Sequence, residues 1–268
     1  METGSSTAQR SGRVVPAYEV LGCKIHGIPA LELVGIIEDS VESARPCIVA
    51  NHNLHSLYLY HRDPKLRQFY ARANWIHVDG MGVVLIARAV GIPVTRSMRI
   101  TYVDLFPQLL QRAQERNWKI FYLGSKPGVA ENGFNILKQQ FPRLRVVTAS
   151  GYFDATGEAN VKLLNEICGF APDVLMVGMG MPLQERWIAE NCDKIGNAVI
   201  LPCGAAIDYF GGAIPTPPRW AGQLCLEWLY RLLAEPRRLW KRYLVEPWFL
   251  LFLTAAYWAR AMRPRRAA

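Results

Sequence analysis

From about residue 104 onward, apolar positions recur in two alternating rhythms. Residues 105–117 carry them at helical spacing and 119–123 are a short apolar block of strand length. A loop at 124–128 leads to a helix over 129–141, a strand at 145–149 and a helix over 158–170. A strand at 173–177, a loop at 178–184, a helix over 185–192 and a strand at 198–201 follow. Strands alternating with helices of this length predict a parallel sheet with right-handed crossovers, which binds ligands at the carboxyl ends of its strands. Both glycine-rich loops fall at such ends. Upstream the beat is looser. A strand is expected at 18–25 and a helix at 30–43, and the apolar run 47–50 is broken by Asn51, His52 and Asn53. A helix over 54–73 carries a break at Asp63-Pro64, a strand follows at 75–78, and a helix over 83–90 comes after Asp79-Gly80-Met81-Gly82. The pattern predicts an α/β fold: a Rossmann-like parallel sheet with flanking helices and a smaller N-terminal α/β part.

The far end of the chain breaks the pattern. Residues 231–268 hold nine Lys/Arg and two Glu, a net charge of +7 out of +9 for the whole chain. Inside this tail, residues 247–259 are thirteen positions without a charge. As a helix they reach only ~20 Å, against a hydrocarbon core of ~30 Å. Such a segment suits a membrane interface, with Trp248, Tyr257 and Trp258 at headgroup level and arginines on anionic phosphates, or it is a buried terminal helix with a solvated basic end. Three regions are expected: a disordered leader at 1–16, an α/β core at 17–222 and a basic amphipathic membrane-associating appendage at 223–268. The leader has no apolar h-region of a signal peptide, which points to the cytoplasmic face of the membrane.

Composition narrows the classes. Hydrophobic residues make up 51% of the 268 positions and charged ones 20%, as in globular proteins. Confinement of the positive charge to the tail favours a membrane surface over nucleic acid, for which no binding motif is present. Six cysteines are scattered without a C-x-x-C pair, so they read as buried thiols and not as a disulfide frame or zinc site.

Several residues could carry chemistry. Gly124-Ser125-Lys126-Pro127-Gly128 and Gly178-Met179-Gly180-Met181-Pro182 each sit between a strand and a helix, where backbone N–H groups and the helix dipole favour an anion. Plain βα turns fit these loops equally. The second lacks the third glycine of a dinucleotide fingerprint, and Val199 and Ile200 stand where its ribose-binding acid belongs. Asp79 follows a strand and is placed to act as a general base, or as a turn or N-cap aspartate. His52, His55 and His61 do not have the spacing of a helical zinc motif, and no metal is expected. Arg231, Arg237, Arg238, Lys241 and Arg242 recur at helical spacing, a face that suits a pyrophosphate or plain solvent.

Taken together, Asp79-Gly-Met-Gly82, Gly178-Met-Gly-Met-Pro-Leu-Gln-Glu-Arg-Trp187 and Leu226-Glu-Trp-Leu-Tyr-Arg231, running on to Arg237, Arg238, Lys241 and Arg242, resemble the WecG/TagA/CpsF glycosyltransferase family. The likeness runs in order over residues 18–245 and takes in Arg99, Asp104, the 124–128 loop and Tyr152. It implies an inverting, metal-independent enzyme without a cofactor. The family moves a sugar from a UDP-sugar to a polyprenyl-pyrophosphate-linked acceptor during cell-surface polysaccharide synthesis. By resemblance, Asp79 is the base, Gln184 and Asn51 belong to the active site, and the arginines from 231 onward hold the lipid pyrophosphate. The donor is expected near Arg99, Asp104, Gly124, Ser125, Lys126, Gly128, Tyr152, Gly178, Gly180, Pro182 and Gln184. The chain departs from the family in three places. Val49-Ala50 replaces Thr-Pro, the glycine between Arg99 and Asp104 is missing, and Thr216-Pro217-Pro218 replaces Arg-Ala-Pro. These bear on the acceptor contacts and not on the base. The alternatives are a nucleotide-binding peripheral membrane protein without turnover and, against the missing fingerprint, a soluble oxidoreductase.

Overall fold

The structure is a computed structural model that describes residues 6–10, 13–214 and 227–261. The chain begins with β1 (Ser6–Arg10), β2 (Arg13–Val20) and β3 (Cys23–His26), followed by α1 (Ala30–Glu42) and β4 (Cys47–His52). Next come α2 (Leu54–Arg62), α3 (Pro64–Arg72), β5 (Trp75–Val78), α4 (Met81–Ala89) and α5 (Tyr102–Glu115). Then β6 (Lys119–Gly124), α6 (Val129–Gln140), β7 (Arg145–Ala149), α7 (Glu158–Phe170), β8 (Val174–Gly178), α8 (Leu183–Asn191), β9 (Val199–Pro202) and α9 (Ala206–Phe210) alternate. The tail holds α10 (Glu227–Ala234), α11 (Pro236–Trp240), a π-helical turn Lys241–Val245 and α12 (Glu246–Ala261).

Among the described residues, six strands form one parallel sheet in the order β5-β4-β9-β8-β6-β7. Its inner strands are apolar on both sides because helices cover both faces. Side chains alternate strictly between them. Val49, Trp75, Ile120, Tyr122, Met176 and Leu201 join one core with α1, α5 and α6. Ile48, Ala50, Ile76, Phe121, Leu175 and Ile200 join the other with α3, α7 and α8. Only β7, at the edge, is partly open along its length. The expected alternation from 104 onward is present, with helix starts two or three residues earlier than the apolar pattern suggests at α4 and α5.

The N-terminal expectations need correction. β4 and β5 do not form a smaller unit of their own; they extend the main sheet. β4 continues through Asn51 to His52, where the polar triplet suggested a break, because both residues stay in register with His77 and Val78 of β5. The strand expected at 18–25 is two antiparallel strands, β2 and β3, turned at Leu21 and Gly22 with φ of 50° and 82°. Positive φ at both positions suits a tight hairpin. The leader also carries β1 and the start of β2, paired antiparallel. In β2 the burial of Val15 and Ala17, with Pro16 and Tyr18 less covered, shows the alternation of a strand that packs one face inward. Residues 1–5 and 11–12, the region boundary at 222/223, the Thr216-Pro217-Pro218 departure with Arg219, and residues 262–268 lie outside the described residues.

The tail is helical, as its pattern predicts. α12 buries Leu250 completely and packs Phe249 and Leu253 against a third core built from β2, β3, α2 and α4. Its other face leaves Trp248 72% and Phe252 69% exposed. No helix among the described residues is long and apolar enough to cross a membrane.

Candidate active site

The site is built from chain reversals at the carboxyl edge of the sheet. β5 ends at Val78, and the next residue, Asp79, donates its backbone N–H to His52 O at 2.8 Å. Gly80, with φ 88°, turns the chain into α4. Asp79 is half-buried, and the protein packed around it raises its carboxyl above the ordinary value. The positive charges of Arg231, Arg242 and Arg99 and a hydrogen bond from Asn53 Nδ2 oppose that rise. Asn53 reaches Oδ2 at 3.5 Å while its own Oδ1 caps α2 through Ser56 N. Arg99 is carried to the site because Ile100 N bonds to Val78 O at 2.8 Å, which lays the segment beside the end of β5. Its guanidinium lies 3.8 Å from Asp104, whose carboxylate is exposed and accepts from Thr101 at the start of α5.

The two glycine-rich loops meet. A Cβ on Gly124 would stand 2.4 Å from Gly178 O, and one on Gly178 would stand 2.0 Å from the Tyr122 hydroxyl. Only glycine lets β6 and β8 converge this closely at their ends. Gln184 ties the junction together. Its Oε1 accepts from Gly180 N and Gly204 N, both at 3.1 Å, and its Nε2 donates to Glu185 Oε1 at 2.7 Å. Ser125 N is likewise taken by Gly178 O at 3.2 Å. The backbone N–H groups of Ser125, Gly180 and Gly204 therefore face protein and not a ligand. Gln184 is a buried brace between loops, and Gly180 and Pro182 shape its turn.

The rest of the 184–187 motif explains itself in the same way. Glu185 is fully buried, and desolvation lifts its carboxyl to about 7, with the Gln184 bond and the charge of Arg242 opposing. Arg186 forks onto Asp63 at the break between α2 and α3. The Trp187 indole donates to Asn160 of α7 at 2.7 Å. Asn51 is also buried; its Nδ2 reaches Pro202 O at 3.4 Å and its Oδ1 has no partner among the described residues.

The basic residues of the tail fall into three groups. Arg231 lies 5.3 Å over the Tyr209 ring of α9 and, with Arg242, acts on Asp79. Arg238 pairs with Glu235 and acts on Asp208, whose carboxyl is raised by burial and lowered by Ser125, Arg238 and Lys126. Arg237 is exposed, and Lys241, also exposed, lies 5.5 Å over Trp240. Lys126 and Gly128 are exposed at the loop tip, and Tyr152 is 69% exposed beside it. The sequence reading missed Asn53, Glu185, Asp208 and Tyr209. Asn53 carries a legible signal, an asparagine just before an apolar-periodic helix. The other three reach the site only through folding.

The histidines are occupied by protein. His52 is buried against Tyr70 with centroids 3.9 Å apart, and burial lowers its pKa to about 3. His55 bonds to Glu246 and His61 faces Phe249. No group of three metal-binding side chains occurs among the described residues.

Comparison with known proteins matches residues 18–264 to the profile of the glycosyl transferase WecG/TagA/CpsF family. Two similar relatives carry the name N-acetylglucosaminyldiphosphoundecaprenol N-acetyl-beta-D-mannosaminyltransferase. The Bacillus spizizenii protein is 30% identical over 186 residues, covering 69% of this chain and 70% of the relative. The Staphylococcus aureus protein is 31% identical over 202 residues, covering 75% and 73%.

Proposed function

The chain belongs to the glycosyl transferase WecG/TagA/CpsF family, and from that premise we propose that it is an inverting transferase. It moves a hexosyl or N-acetylhexosaminyl group from a UDP-sugar to a polyprenyl-diphosphate-linked acceptor. The observation that carries this reading is the place of Asp79 at the carboxyl edge of the sheet, where its backbone N–H is held by His52 O and the positive charges of Arg231, Arg242 and Arg99 oppose the rise that burial gives its carboxyl. A carboxylate in the field of three arginines suits a reaction between two diphosphate-bearing substrates, since one group accepts a proton while the others meet phosphate charge.

In this reading Asp79 takes the proton of an acceptor hydroxyl as that oxygen attacks the anomeric carbon. The bond from that carbon to the UDP oxygen breaks on the opposite face, which inverts the centre. Burial makes Asp79 a better base, and the arginines keep it ionised. UDP departs as a trianion, its terminal phosphate newly dianionic, and that added charge falls to Lys126 and the arginines, without a metal. Asn53 holds the base in place and Gln184 holds the donor-side loops. The names of the two relatives make N-acetylmannosamine and a GlcNAc-diphosphate lipid the first donor and acceptor to try. The exposed aromatic face of α12 and the basic tail keep the enzyme at the inner membrane surface as a peripheral protein.

The test is UDP release from a panel of UDP-sugars with a polyprenyl-diphosphate-linked acceptor in liposomes, with and without EDTA. Acceptor-dependent, EDTA-indifferent release from one donor supports the reading. UDP binding without release from any donor favours the non-catalytic alternative. Asp79→Asn should lower kcat about 10²- to 10⁴-fold with the melting curve unchanged; near-normal turnover rules out Asp79 as the base.

A further inference from the structure

Two of the histidines touch the tail. His55 Nδ1 lies 2.7 Å from Glu246 Oε2, with only 16% and 9% of the two side chains exposed. Glu246 is the first residue of α12 and directly follows the π-helical turn that carries Arg242. One turn on, the Phe249 ring sits edge-on to Tyr58 at 5.3 Å and near His61 at 6.0 Å, with the Arg62 guanidinium 4.9 Å over it. Positions 55, 58 and 62 lie on one stripe of α2, so this helix presents a single face to the tail. The N-cap of α2 is Asn53, which reaches Asp79. One nine-residue helix therefore holds the carboxylate at its start and the tail along its side.

We propose that His55 and Glu246 are a positioning pair that latches the tail onto α2 and so sets Arg231 and Arg242 opposite Asp79 for the acceptor diphosphate. The proposal rests on the function proposed above. Charge explains why this contact selects the docked pose. Glu246 is one of two acids in a tail segment of net +7, and it is turned inward. A buried carboxylate without a partner is costly, so every pose of α12 that separates Glu246 from His55 while keeping it dry is disfavoured. Apolar contacts of Phe249 and Leu250 hold the helix down but tolerate sliding; the polar pair fixes its register.

The test uses the full chain with His55→Ala, Glu246→Gln and the double variant. Initial rates are measured against the lipid-linked acceptor and the UDP-sugar separately, and hydrogen exchange is followed by peptide. Each single variant should raise the acceptor KM about tenfold or more, leave the donor KM within about twofold, and speed exchange in 246–261 but not in β6 or β8. The double variant should be no worse than the worse single one. Equal rises in both KM values, additive effects, or unchanged exchange in 246–261 would overturn the latch. If the wild-type chain transfers no sugar from any donor, the function above fails, and exchange alone decides: faster exchange confined to 246–261 supports the latch, and unchanged exchange overturns it.

Discussion

Asp79 and Glu185 are two carboxyls raised by burial and opposed in that by the charge of Arg242, yet their surroundings assign them different work. Asp79 keeps an open side and feels the charge of three arginines; Glu185 is sealed, with Oε2 unpartnered among the described residues. The Glu185 carboxyl sits at about 7 in the fold against an ordinary 4.5. Between those values the folded chain keeps a proton that the unfolded chain has lost, so stability falls as pH rises through the window. The loss amounts to on the order of 3 kcal/mol. Wild-type protein should therefore lose several degrees of Tm between pH 5 and 8 relative to Glu185→Gln, which has no proton to lose. Parallel melting of the two across that range would show that Glu185 is not a buried acid. At Gly178, alanine would bring a methyl within 2.0 Å of the Tyr122 hydroxyl and 2.7 Å of Gly204 O. The second contact is backbone and cannot swing away, so Gly178→Ala should raise the donor KM by reshaping the loop junction. An unchanged donor KM would place the donor elsewhere.

At the scale of elements, α8 and α12 show how short helices organise the edge of the sheet. The start of α8 supplies Gln184, whose carbonyl serves two loops. Gln184→Ala leaves Gly180 N–H and Gly204 N–H without their acceptor, at about 1–3 kcal/mol each where they stay dry. Lower stability together with weaker donor binding is expected in urea unfolding and UDP titration; weaker binding at full stability would instead make Gln184 a direct ligand contact. In α12, Leu250 is wholly buried in the third core. Leu250→Ala should cost about 2–5 kcal/mol if α12 unfolds with the core. A negligible cost would mean that the helix detaches first. The helical pattern of the tail and the break at Asp63-Pro64 were legible in the sequence because both are local. The β2–β3 hairpin was not, since a run of eight residues reads alike as one strand or as two with a tight turn.

For the whole molecule, the division of charge is the organising fact. The tail segment 231–268 carries +7 of the chain's +9, and its helix α12 shows Trp248 and Phe252 outward. Changing both to glutamate should abolish binding to anionic vesicles while leaving Tm unchanged, because neither side chain is packed. Wild-type binding should weaken as salt rises, by screening within a Debye length of ~10 Å at 0.1 M. Persistent binding of the double variant in sedimentation would move the membrane contact away from α12. Local pattern alone determined the strand–helix alternation, the glycine loops at strand ends, the basic helical tail and the candidacy of Asp79. Hydrophobic periodicity, turn residues and charge all act within a few neighbours, so they can be read along the line. Tertiary structure alone decided that β4 and β5 join the main sheet and that Gln184 braces two loops. It also decided that Asn53 holds Asp79, that Glu185 and Asp208 lie at the edge, and that His55 meets Glu246. Those facts depend on contacts between residues far apart in the chain, where burial and distance, not spacing, set which groups share a field.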